Sequence, residues 1–97
     1  MKITRKQLYV IAYDITDDHR RQQVVKLLER IGVRINWSVF ECMLTFSQIK
    51  KLKESLSTLL FLKEDALVIY PICKNCYAKT FYLPKDRRII PKKVIVI

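Results

Sequence analysis

The chain has 97 residues, room for one domain and hardly anything beside it. At 51% apolar it holds enough material for a core, which excludes a wholly disordered chain, and one glycine with three prolines excludes long flexible or collagen-like stretches. Nineteen Lys and Arg against nine Asp and Glu give a formal net charge of +10, an excess that favours polyanionic partners, nucleic acid before membrane.

The basic start at Met1–Lys6 is followed by a short apolar run and then a charged helical stretch, so no signal peptide is evident. The apolar runs at residues 8–13 and 66–72 are too short to cross a bilayer, and the expectation is a soluble, cytoplasmic protein. Three cysteines, an odd number, argue for reduced thiols. Cys73 and Cys76 have the spacing of half a zinc site, but Cys42 and His19 stand at no ligand spacing from them. The pair also has the spacing of a redox motif at a helix start after a strand; the plainer reading is a turn with partly buried thiols.

Residues 7–14 read as a strand, since 8–13 are continuously apolar and rich in β-formers. Thr16, Asp17 and Asp18 end it with helix-capping residues, and Val24, Leu27, Leu28 and Ile31 then recur at helical spacing. Gly32 falls where a helix end calls for a left-handed residue. Residues 33–39 alternate with period two and the phase turns irregular from there to 44; twelve residues is long for one strand, and a bend, bulge or short turn is expected near Trp37 and Ser38. Thr45 and Gln48 have the spacing of a capping box, opening a second helix with Ile49, Leu52, Leu56 and Leu59 or Leu60 on one face. Residues 66–72 form another strand, and 80–83 and 89–97 are read as strand-like.

The order β-α-β-β-α-β, with an additional C-terminal strand, predicts an α+β ferredoxin-like sandwich in a single domain over residues 1–97. Residues 84–97 form its extension and edge-adding strand. Because the first strand is apolar on both faces, the sheet needs a second cover, and the economical one is another copy packed sheet to sheet as a homodimer.

Asp14 ends that apolar strand just before a helix. Two copies could bring two Asp14 carboxylates together around Mg²⁺, an arrangement suited to phosphodiester hydrolysis. Alternatively, Asp14 caps the turn or pairs with Arg20 or Arg21. Those arginines could grip phosphate or be surface charges of the first helix turn. His19 could be a general base, but its place on an exposed helix start suits a surface residue. Trp37 and Phe40 fit a core or interface better than a base-stacking platform. Gly-rich phosphate loops, Gly-x-Ser-x-Gly and His-Glu-x-x-His are absent, as is the aromatic signature of an RNA-recognition motif.

Residues 9–15, Tyr-Val-Ile-Ala-Tyr-Asp-Ile, followed by Asp17-Asp18-His19-Arg20-Arg21, resemble the opening of the CRISPR-associated protein two family. Arg34 with Ser38-Val39-Phe40-Glu41 is similar to that family's second block. The resemblance implies a ferredoxin-like homodimer acting in spacer acquisition, described as a metal-dependent endonuclease on single-stranded RNA or double-stranded DNA. It implies Asp14 as the catalytic Mg²⁺ ligand, and Arg20, Arg21, Arg34, Ser38 and Phe40 in nucleic-acid binding or cleavage. It also implies a partner, the CRISPR-associated integrase (protein one). In that complex the dimer would hold the duplex by its backbone while the integrase performs the chemistry, leaving this chain a non-catalytic scaffold.

Overall fold

The computed structural model describes residues 5–84. Its elements are β1 (Lys6–Asp14), α1 (Asp18–Glu29), β2 (Gly32–Asn36), β3 (Val39–Thr45), α2 (Phe46–Leu59), β4 (Ala66–Ile72) and α3 (Lys74–Ala78). The strands form one sheet in the order β2-β3-β1-β4, antiparallel throughout, which is the ferredoxin-like arrangement. The extension's strand at residues 89–97 lies outside the described residues.

The position of β1 explains its unbroken apolar run. It pairs with β3 on one side and β4 on the other, so Ile11 is opposite both Phe40 and Ile69. These residues and their same-face neighbours meet Val24 and Leu28 of α1 and Ile49, Leu52 and Leu56 of α2 in one core. Proline at position 71 is tolerated because β4 is an edge strand, where a missing N–H breaks no second ladder.

Both helices begin as their sequences dictate. The Asp17 carboxylate accepts from the Arg20 amide at 2.9 Å and caps α1. Thr45 and Gln48 form the capping box of α2, each side chain accepting from the other's backbone amide. The expected bend is a turn at Trp37 and Ser38 that separates β2 from β3.

Three local expectations are corrected. Gly32 has no positive φ, and Arg30 closes α1 in right-handed helical backbone. Glycine is required there by crowding: a Cβ would lie 2.5 Å from both the Glu41 carbonyl oxygen and Cys42 Sγ. The cysteine turn is a short helix, α3, capped by Cys73. Residues 80–83 form no strand, because Tyr82 instead crosses to the sheet and donates to Glu41 Oε2 at 2.5 Å.

That last contact bears on the sheet's second face. Leu8, Val10, Ala12, Glu41, Val68 and Tyr70 share it by register. Glu41 is buried there, and Tyr77 is buried beside Tyr82, so the chain covers part of the face itself. Burial first, and then the Glu41 hydrogen bond, hold the Tyr82 phenol well above its ordinary range. Val68 and Tyr70 remain 40% and 52% exposed. No helix among the described residues is long and apolar enough to cross a membrane.

Candidate nucleic-acid interface

The C-terminal end of β1 is where three elements converge. Tyr13 and Asp14 leave the sheet there, α1 begins four residues later, and the β2–β3 turn folds over the same end. Tyr13 pins the turn twice: its amide donates to the Ser38 carbonyl and its phenol to the Trp37 carbonyl, each at 3.1 Å. The result is an open depression of about 510 Å³ lined by Tyr13, Asp14, Ile15, Arg21, Arg34, Trp37 and Ser38. A second, shallower depression of about 290 Å³ lies on the β4 side of Asp14, against Ala66 and Val68.

Asp14 is exposed, so its charge carries no burial cost. Neither of the alternatives read from its sequence position is seen. Asp17 is the cap, and Asp14 makes no ion pair or hydrogen bond among the described residues. Arg21 reaches the pocket from α1, donating to the Ile15 carbonyl at 3.0 Å and pairing with the exposed Asp18. Arg34 lies across the Trp37 ring, 5.4 Å from its centroid, and donates to the Trp37 carbonyl at 2.6 Å.

Arg20 and Phe40 are placed elsewhere. Arg20 is spent on the loop before β4, bonding Asp65 at 2.9 Å and Glu64 at 3.0 Å, with the Phe61 ring beneath it. Phe40 has no exposed surface; its ring packs in the core beside Tyr13 and below Arg34. Each therefore supports the site's frame and offers a ligand no free group. Conversely, Trp37, read as core or interface, is 82% exposed on the turn and lines the pocket. The clue was the bend, since a bulky residue at a two-residue turn between strands points to water. His19 is exposed and lies outside the pocket lining.

The Arg20–Asp65 pair has a consequence for acid stability. The Asp65 carboxyl is held below its ordinary value, first by the Arg20 hydrogen bond and then by the Phe61 amide. A depressed folded value contributes stability above the unfolded value of 3.8, and that stability is lost as pH falls through the lower folded value. Asp65→Asn should therefore be less stable than wild type at neutral pH and lose less stability below pH 3.8, as urea midpoints across that range would show. Parallel curves would contradict this.

Among the described residues no three His, Cys, Asp or Glu side chains form a metal-binding group. The pocket's side-chain oxygens are the Asp14 carboxylate and the Ser38 and Tyr13 hydroxyls, the last already donating to the Trp37 carbonyl; all are hard oxygens, and two guanidinium groups share the lining. This set fits a magnesium ion that keeps water or phosphate as its remaining ligands, and it does not fit a soft metal.

The class defined by the fold and the site is a small α+β domain of ferredoxin-like topology with a basic, carboxylate-bearing pocket at the end of a central strand. The match is specific: the family model described as CRISPR associated protein Cas2 covers residues 7–80, and the chain belongs to that family. It is 48% identical over 65 residues to the CRISPR-associated endoribonuclease Cas2 3 of Synechocystis sp., spanning 67% of this chain and 71% of that protein. Identity to the CRISPR-associated endonuclease Cas2 2 of Thermus thermophilus is 46% over 67 residues, 69% of this chain and 74% of the relative. The crystal structure of Streptococcus pyogenes Cas2 matches with a TM-score of 0.72 at 27% identity, covering 78% of this chain and 98% of that one.

Proposed function

We propose that the chain acts in CRISPR adaptation as a homodimer that binds nucleic acid. In this reading the Asp14 pocket hydrolyses phosphodiester bonds of single-stranded RNA or double-stranded DNA with Mg²⁺. The observation that carries the reading is the grouping of Asp14, Arg21, Arg34 and Ser38 around one open depression. Arg34 can offer N–H donors to a phosphate, Arg21 can join it by exchanging its exposed Asp18 partner, and the exposed Trp37 ring beside them offers a face to an unstacked base. Asp14, with Ser38 at its side, would hold the metal. When bound, Mg²⁺ supplies charge neutralisation on phosphate and an activated water. The names of the relatives, an endoribonuclease and an endonuclease, support the same reaction class.

The homodimer forms across the second face of the sheet, where Val68 and Tyr70 are left exposed, and a two-fold dimer would add a second Asp14 carboxylate. The partner assigned is the CRISPR-associated integrase, Cas1, with duplex DNA held between them, in the cell compartment that holds the DNA. A second reading has its own support. With a single carboxylate against two arginines in the pocket and a net charge of +10, the dimer suffices as a scaffold that grips duplex backbone without cutting it.

Both readings require salt-sensitive, sequence-indifferent binding, tested by titrating unrelated duplexes against the protein over a range of salt and weighing the species by sedimentation. The expected result is a dimer whose log affinity falls linearly with log salt, by about 0.9 for each phosphate neutralised. A monomer, or affinity that ignores salt, would overturn the reading.

A further inference from the structure

Cys73 and Cys76 stand at the far end of β4, apart from the Asp14 pocket. The fold turns their spacing into a helix start. Cys73 is the extended cap residue of α3, at φ −74° and ψ 161°, and Cys76 lies within the first turn. The Cys76 amide donates to Cys73 Sγ at 3.2 Å, so the first turn of α3 folds the Cys73 sulfur back onto the backbone of Cys76. Both residues are exposed. With the Cys73 sulfur already held against the Cys76 backbone across one helical turn, a side-chain rotation at Cys76 is the movement left to reach disulfide geometry.

We infer that Cys73 and Cys76 form a reversible dithiol that a small disulfide oxidant, such as oxidised glutathione, closes into an intramolecular disulfide at the junction of β4 and α3. The two cysteines have unequal roles. The Cys73 thiol is held below its ordinary value, chiefly by the Cys76 thiol, with help from backbone amides and Lys79, while Cys76 is held above it. Cys73 thiolate attacks one glutathione sulfur, breaking that S–S bond and releasing one glutathione thiolate. Cys76 then gives its proton to solvent and attacks Cys73 Sγ, releasing the second glutathione. Two protein thiols are oxidised and one glutathione disulfide is reduced to two thiols, so electrons and atoms balance.

The surroundings give the bond something to hold. A helix as short as α3 has little stability of its own, yet it carries Tyr77 into a buried position beside Tyr82 and Glu41. Closing its first turn fixes how the chain leaves the sheet edge. Cys42 cannot compete, because it is fully buried and burial pushes its thiol up to about 11.

The test uses the full chain, reduced, desalted and incubated with oxidised glutathione in the presence of EDTA. After an acid quench it is alkylated and mapped by non-reducing mass spectrometry. The expected result is loss of two hydrogens in a peptide linking Cys73 to Cys76, with Cys42 unmodified. Cys76→Ser should retain glutathione on Cys73, and Cys73→Ser should react at least about tenfold more slowly than wild type. Serine preserves the cap acceptor, so the second variant is expected to fold, which circular dichroism checks. Wild type that stays alkylatable at both thiols, keeps a stable glutathione adduct, or links between chains would overturn the inference. None of these outcomes depends on nuclease activity or nucleic-acid binding.

Discussion

Gly32→Ala should destabilise the protein by about 1–3 kcal/mol, the range for forcing a methyl into closed packing. In a domain of this size that is a fall in melting temperature of roughly 4–8 °C for each kcal/mol. The sign is what makes the result informative. Where the backbone suits alanine, glycine replacement normally stabilises by about 0.4–1 kcal/mol through the unfolded state. At Gly32 the backbone does suit it, since its φ is not positive, and only the approach of β3 opposes the substitution. The added carbon would meet Cys42 Sγ and the Glu41 carbonyl at 2.5 Å each. Adding Cys42→Ala should restore little, because the carbonyl is backbone and stays in place. Thermal and urea melts of the two variants decide this, and unchanged or raised stability in Gly32→Ala would contradict it.

Arg34→Ala and Arg20→Ala should fail in opposite ways. Arg34 lines the pocket, and among the described residues its guanidinium meets the Trp37 carbonyl and two aromatic rings but no carboxylate, so its charge is left for a ligand. Its loss should weaken duplex binding to a similar extent on every sequence and reduce the salt slope by about 1. Arg34→Lys keeps the charge but loses the planar fork and much of the ring stacking, and should fall between. Arg20 is already neutralised by Asp17, Glu64 and Asp65. Its loss should lower thermal stability and leave the slope unchanged. Equal loss of slope in both alanine variants would contradict the assignment of Arg34 to the interface and Arg20 to the frame.

Those two arginines show what the sequence made legible and what it did not. The fold could be read because its determinants are local: the run of residues 8–13, the helical spacing of Val24 and Leu28, and the capping box at Thr45. The bend at Trp37 and Ser38 was legible because a strand of that length is rare. Neighbouring side chains on a helix, however, point about 100° apart. Whether Arg20 or Arg21 met the pocket depended on where Glu64 and Asp65 came to lie, more than forty residues along the chain. Trp37 and Phe40 were both read as core or interface, and they part because the turn changes the phase of the alternation, leaving Phe40 in the core and Trp37 in water. Gly32 was marked as special but for the wrong cause, because the pressure on it comes from β3 across the sheet. The short helix α3 has too few residues to show a period at all.

The most direct measurement compares wild type with Asp14→Ala on labelled single-stranded RNA and duplex DNA, with Mg²⁺ or EDTA, at matched dimer concentration. Duplex binding is read on the same samples. The account predicts Mg²⁺-dependent cleavage by wild type that disappears in Asp14→Ala while binding survives. Equal cleavage by both proteins, or none by either, would contradict a phosphodiesterase site at Asp14, and the second result would leave the backbone-binding scaffold in its place.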